Sequence, residues 1–371
     1  MTLLLISALA CGISCRKGMD ANSEKPLPGA SDGSLLVHIG LPDASTKSAS
    51  ADVKDYRINS VQVLVFDHNE RLETDCFESL DSSAENKTSI RLSTTTGDKT
   101  LYAILNHDAL KLSYHGTTLD EFEETLADLS ENRVDHLVMS GKVGITVQKY
   151  EGASAPEQSV NIYVKRLVSQ IIVEQVSVNF DGTPLEGGTF SIQEIYLKNV
   201  VGKCPLGMSG TSEAANSDVS SLPLSDTQLA NTSNWYNKAT KQASGAPVVT
   251  FDPVSISCKT KGEATDVSRS LFAFPNKTTK DSHDDVFCPR MTRVVIKAHI
   301  KAAQNNIDKD SYYVFDLPVL DNNHRYKIKN ISITMPGNDD DDKDYDTQTG
   351  RILPTITVDP WSGDTELNYE F

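Results

Sequence analysis

The residues that most directly specify a chemistry are two cysteines near the start of the chain. The run "TLLLISALACGIS" is apolar or small throughout; Cys11 lies inside it and Cys15 closes it, followed at once by Arg16 and Lys17. The run is too short to span a bilayer and has the make-up of a signal-peptide core. A signal that ends on a cysteine predicts acylation of that thiol. The cysteine would become a lipidated N-terminus and would tether the chain to a membrane without a transmembrane helix. Cys15 is the expected acceptor, because the polar, Ser/Gly/Pro-rich stretch "RKGMDANSEKPLPGASDG" starts directly after it. Cys11 is the alternative acceptor, and a cleaved signal without lipid is the alternative chemistry. No positive residues precede the apolar core, so a longer leader is expected.

The remaining side chains offer little for catalysis. Cys76, Cys204, Cys258 and Cys288 form no CxxC and have no His at ligand spacing, which argues against zinc. An exported chain could pair them as disulfides. Cys258 and Cys288 flank one irregular segment and are the first pair to test. The histidines at 38, 68, 107, 115, 136, 283, 299 and 324 never fall two or four residues apart. The acidic run Asp339–Asp342, with Asp344 and Asp346, lacks the central Gly and final Glu of a calcium loop and reads as a solvated, protease-accessible connector. Trp235 and Tyr236 would make a sugar-stacking platform if their Ser/Asn-rich loop held them in solvent. Phosphate-binding, nucleophile-elbow and zinc-protease motifs are all missing. No enzyme, cofactor or metal is expected.

Charge narrows the partners. Lys+Arg number 35 against 51 Asp+Glu among 371 residues, a net charge of −16. No basic face is visible for a nucleic acid. Hydrophobic residues make up 38%, which fits a folded body with a large surface.

The elements that would position these residues are mostly strands. "SLLVHIGLP" alternates, placing Leu35, Val37, Ile39 and Leu41 on one face. The small polar stretch "DASTKSASADVKD" after it has no reason to pack and is expected to be an exposed loop. Further strands are expected at 58–67, 87–94, 99–106, "HLVMSG" and "GITVQK". One helix is expected in "TTLDEFEETLADLS", where Leu119, Phe122, Leu126 and Leu129 share a face. Thr118 and Glu121 can form its capping box. The apolar run 160–180 carries Lys165 and Arg166 near its middle and reads as two strands joined at a corner. The second half repeats this grammar. Strands are expected in "TFSIQEIYLKNV", "PVVTFDPVSISC", "SLFAFPN", "TRVVIKAHIKA", "YYVFDLPV" and "HRYKIKNISITMPG", with a long loop over 203–245. The chain closes with "ILPTITVDPWSGDTELNYEF", a two-strand ribbon. Short strands with turn signals and one helix predict antiparallel β-sandwich domains. The expected division is signal peptide 1–15, tether 16–33, first domain 34–165 and second domain 166–371, with the ribbon at 351–371.

In order along the chain, several of these stretches resemble the FimA-type fimbrillins, the subunits of type V pili of Bacteroidales. They are the leader ending in Cys15-Arg16-Lys17, strand 34–41, "INSVQVLVFD", "LYAILN", and "TLDEFEETLADL" leading into "HLVMSG". After them come "IYVKRLVSQIIV", "DNNHRYKIKNISITMPG" and "ITVDPW". The resemblance implies two transthyretin-like β-sandwiches, mainly β with one short helix, exported as a lipoprotein to the outer membrane and cell surface. It implies that a trypsin-like protease cuts after the first strand, and that C-terminal strands of a neighbouring subunit fill the vacated groove. The cut would fall within 43–57. The family commonly has an Arg there, whereas this chain offers Lys47 in the loop and its first Arg only at Arg57. The donor residues would be Ile352, Pro354, Ile356 and Val358 on one strand and Leu367, Tyr369 and Phe371 on the other. The implied partners are other copies or related fimbrial subunits, the outer membrane before processing, and host surface proteins or glycans. A stalk subunit is the expected role. The alternatives are a membrane-retained anchor and a glycan-binding adhesive lipoprotein.

Overall fold

The computed structural model describes residues 32–40, 57–80, 89–150, 158–209, 234–236, 255–281, 290–341, 356–360 and 367–369. In the first half, β1 (Gly33–Gly40) is followed by β2 (Ser60–Phe66), β3 (Leu72–Ser79), β4 (Ser89–Thr94) and β5 (Gly97–Leu105). Then come α1 (Leu119–Glu123), β6 (Leu126–Asp128), β7 (Met139–Val147), β8 (Gln158–Tyr163) and β9 (Lys165–Arg166). A three-stranded sheet, β4-β1-β8, faces a five-stranded sheet, β3-β2-β5-β7-β9. Their inner faces meet in one apolar cluster that includes Leu35, Val37, Val61, Val63, Leu92, Leu101 and Ile162.

The second half repeats this plan. Its strands are β10 (Ser169–Asn179), β11 (Thr189–Lys198), β12 (Val200–Val201), β13 (Lys203–Pro205), β14 (Trp235–Tyr236), β15 (Ile256–Cys258) and β16 (Lys261–Ala273). The chain continues through β17 (Arg293–Lys301), β18 (Asp308–Asp316), β19 (His324–Ile328), β20 (Ile331–Ile333), β21 (Ile356–Pro360) and β22 (Leu367–Tyr369). One sheet runs β16-β10-β19-β21-β22, with β20 also on β10, and the other runs β15-β11-β17-β18. In each sandwich the first strand lies between an antiparallel neighbour and a parallel one: β1 between β4 and β8, β10 between β16 and the β19/β20 pair. The two sandwiches are therefore topological repeats. Their parallel pairings refine the all-antiparallel expectation, because alternation reveals which face is buried and not which way a neighbour runs.

The sandwiches are joined through backbone pairing and a shared core. β6 pairs with β13, from Leu126↔Pro205 to Asp128↔Lys203. Leu206 N–H donates to Thr125 O at 2.8 Å, and Ser140 Oγ donates to Leu206 O at 2.7 Å. A continuous cluster runs from Phe66, Tyr102 and Phe122 to Phe190, Tyr313 and Tyr326.

Several expectations need revision. Helix α1 has the capping box of Thr118 and Glu121, yet stops at Glu123. Leu126 and Leu129 do not continue it: Leu126 is in β6, committed to β13, and Leu129 opens a separate turn capped by Asp128. "HLVMSG" and "GITVQK" contribute to one strand, β7, and the run from His324 breaks into β19 and β20. Trp235 is not a solvent platform. It is 2% exposed, held by the β12–β14 pairing, while Tyr236 OH donates to Asp128 at 2.8 Å across the junction. The acidic run is partly tied down as well: the Asp341 carboxylate accepts from Tyr196 OH and pairs with Lys198 Nζ at 3.0 Å. Cys76, Cys204 and Cys258 are buried, and Cys288 lies outside the described residues.

One glycine shows how closely the first sandwich is drawn together. A Cβ on Gly141 in β7 would lie 2.3 Å from the backbone oxygen of Tyr163, whereas one on Gly144 would meet open space. Gly141→Ala must push β7 away from the corner after β8. We expect it to lower unfolding free energy by about 1–3 kcal/mol in urea titration, while Gly144→Ala stays within about 0.5 kcal/mol of wild type.

Candidate strand-acceptor site

Strand β1 is the feature of the fold best suited to a binding function, because it fills a slot between two other strands. It pairs with β4 from Gly33↔Thr94 to His38↔Ser89 and with β8 from Leu35↔Gln158 to Gly40↔Tyr163. Val164 N–H donates to Gly40 O at 3.0 Å. Main-chain polarity alternates along a strand, so the even-numbered residues of β1 bond β8 and the odd-numbered ones face β4. The odd-numbered side chains also point inward: Leu35 and Val37 are fully buried and Ile39 is 4% exposed. Each such side chain contributes about 1.5–3 kcal/mol on burial. The slot therefore holds β1 through two ladders and a row of apolar sockets.

The ends of the slot are shaped as well. Gly33 is buried, and a Cβ there would lie 2.6 Å from Val147 Cγ1 and 3.1 Å from Thr94 O. His38 Nδ1 lies 2.8 Å from Ser89 Oγ. On the far side of β8, Gln158 acts as a stand-in for a strand. Its Oε1 accepts from Gln148 N–H at 2.9 Å and its Nε2 donates to Thr146 O at 2.9 Å. The β7–β8 seam is thereby closed.

Beside the Gly33 end, Glu73 and Lys99 form a buried ion pair with Nζ–Oε2 2.6 Å. Glu73 Oε1 also accepts from Thr94 Oγ1 at 2.7 Å and from Thr95 N–H at 2.6 Å. This joins β3 to the β4–β5 turn across the two sheets. Burial alone would raise the pKa of Glu73, but the Lys99 and threonine hydrogen bonds and the lysine charge together hold it below the usual value of 4.5. Nothing in a strand pattern marks Glu73, Lys99 or Gln158 for these contacts, because each partner lies elsewhere in the chain.

The residues expected to take part in assembly are not all brought to this site. Cys11, Cys15 and Lys47 lie outside the described residues, as do Ile352, Pro354 and Phe371. Arg57 stands just before β2, and its carbonyl accepts from Asn106 Nδ2 at 2.8 Å. The ribbon is seated on its own sandwich. Ile356 and Val358 belong to β21, which pairs with β19 from His324↔Pro360 to Ile328↔Ile356. Leu367 and Tyr369 belong to β22, which pairs with β21 from Val358↔Leu367 to Ile356↔Tyr369.

Residues 37–183, covering the second half of β1, the rest of the first sandwich and β10, match the family model described as "Major fimbrial subunit protein (FimA)". Over these residues the chain resembles the FimA fimbrial subunit family. Solved structures share the fold of this chain along nearly all of its length. A fimbrilin of Porphyromonas gingivalis aligns with TM-score 0.57 at 15% identity, covering 89% of this chain and 98% of its own. A candidate cell adhesion protein of Bacteroides eggerthii aligns with TM-score 0.56 at 16% identity, covering 91% and 98%. No curated protein matches. The FimA family is one of structural subunits and not of enzymes.

The ion pair makes a testable prediction for this protein. Lys99→Ala leaves a buried carboxylate without its cation and should cost about 3–5 kcal/mol in urea unfolding at neutral pH. Glu73 has a lowered folded pKa, so its contribution is present above the ordinary carboxylate range and is lost as pH falls through the lowered value. Glu73→Gln should therefore flatten the decline of stability below about pH 5.

Proposed function

We propose that this fimbrial subunit is a stalk component that polymerises by strand exchange. Removal of β1 opens the slot between β4 and β8, and the C-terminal ribbon of a neighbouring copy or related subunit fills it. The observation that carries this reading is the central place of β1, hydrogen-bonded on both edges with Leu35, Val37 and Ile39 buried. Vacating such a place leaves two unpaired ladders and an apolar trench that only another strand satisfies. Among the described residues β22 is paired on one edge, with β21. A ribbon strand that left this outer position for a vacant slot would gain a second ladder. The contact is heterologous and does not close on itself, so it propagates as a filament.

Before processing, a lipid on Cys15, or on Cys11, would hold the chain at the outer membrane, and host surface proteins or glycans would be partners of the finished fibre. A second reading, the anchor subunit that keeps β1 and its lipid, draws support from one feature. The first Arg after β1 is Arg57, and it is already bound into the fold. The adhesive, glycan-binding reading loses its main feature with the burial of Trp235.

Trypsin treatment of the full chain should release the β1 segment and give ladders of oligomers on a gel run without denaturant. A cleaved chain that stays monomeric counts against the stalk role. Deleting 351–371 should abolish the ladders and leave the circular dichroism of a folded β-protein. If the deletion unfolds the protein, the ribbon is core and not donor.

A further inference from the structure

The chain just before β2 is held with unusual completeness. Arg57 C=O accepts from Asn106 Nδ2 at 2.8 Å. Asn59 N–H donates to Asn106 Oδ1 at 2.7 Å, and Asn59 Nδ2 donates to Asp135 O at 2.6 Å. Asn59 C=O accepts from Leu80 N–H at 2.7 Å, and Ser60 C=O accepts from Asn106 N–H at 3.0 Å. Between these anchors Ile58 is 6% exposed. Asn106 is itself fully buried and sits in the left-handed region at φ 56°, a conformation Asn adopts more readily than most residues. Its Nδ2 also donates to Leu137 O at 3.0 Å.

We infer that Asn106 sets the downstream limit of processing: it withholds the Arg57–Ile58 bond from a protease that cuts after basic residues. Hydrolysis adds one water across the amide. The Arg57 acyl carbon takes the hydroxyl, its bond to the Ile58 nitrogen breaks, and that nitrogen takes the proton. For this to happen, the carbonyl oxygen of Arg57 must turn into the protease's oxyanion donors, and the flanking residues must lie extended in its cleft. Here that oxygen is already bound by Asn106, and the residue after the bond is buried. Cleavage at Arg57 therefore requires local opening of the segment, and its rate is scaled down by the opening equilibrium. The consequence is a fixed boundary. When β1 departs, β2 keeps its N-terminal anchor and the first sandwich does not unravel from the cut. The biological purpose rests on the strand-exchange reading, but the protection of Arg57 does not.

The test is brief trypsin treatment of the folded full chain, read by intact mass and N-terminal sequencing. Wild type should give new N-termini at Ser48 or Asp55 and none at Ile58. The double variant Lys47→Gln, Lys54→Gln should keep β1 attached. Asn106→Gly tolerates the left-handed backbone but removes the side-chain amide, and cleavage after Arg57 should rise about tenfold or more. Asn106→Asp keeps an acceptor for Asn59 N–H and removes the donor to Arg57 C=O, so it should move in the same direction; it is read in place of Asn106→Gly if that variant fails to fold. Wild-type cleavage at Arg57 as fast as at Lys47 overturns the inference. So does ready release of β1 from the double variant, or a folded Asn106→Gly that stays uncut at Arg57. Oligomer ladders are scored separately. Clean cleavage at Lys47 without ladders defeats the polymerisation reading and leaves the Asn106 inference standing.

Discussion

The physical interaction on which the first sandwich depends is the double ladder around β1. A strand at a sheet edge satisfies half of its main-chain groups through pairing. β1 is paired on both sides, with β4 and with β8, and seals the core with alternate side chains. Its neighbours are organised around that fact. Gln158 closes the outer side of β8, Glu73 and Lys99 fix the β4–β5 turn, and Asn106 holds the start of β2. Each of these groups ties down backbone around the slot without being part of β1. That is the arrangement needed if the slot is to keep its shape while its occupant changes.

The second sandwich repeats the same slot. β10 occupies the equivalent place, but its eleven residues run straight on from the β9 corner, and Arg166 just before it is 2% exposed. β1, by contrast, is joined to β2 through the small, polar stretch after residue 41. β1 and β10 thus hold equivalent places in the two sandwiches and differ in how the chain is joined to them. The β6–β13 pairing and the shared core then couple the two sandwiches, so that a load on one is passed to the other through backbone hydrogen bonds.

Much of this was legible beforehand for a simple reason. A two-residue period in Leu35-Val37-Ile39 and a corner at Lys165-Arg166 are local properties of the chain, and both appear in the fold. The capping box at Thr118 and Glu121 is local too, and it formed. The helix beyond it was misjudged because Leu126 belongs to a strand whose partner, Pro205, is far away in sequence. Trp235 was misjudged in the same way. A Ser/Asn-rich neighbourhood suggests solvent, while a pairing with Val201 brings the ring into the core.

By itself the sequence determined the β-class, the alternation of strands such as β1, the capping box of α1 and the acidic balance of charge. These follow from side-chain period, charge and turn chemistry, which act over a few residues. Only the tertiary structure decided that β1 lies between an antiparallel and a parallel neighbour, and that the ribbon is seated on β19. It also decided that Asn106, and not the local run of residues, governs the backbone at Arg57. Those outcomes depend on pairings between residues distant in the chain, whose partners and direction no local pattern encodes.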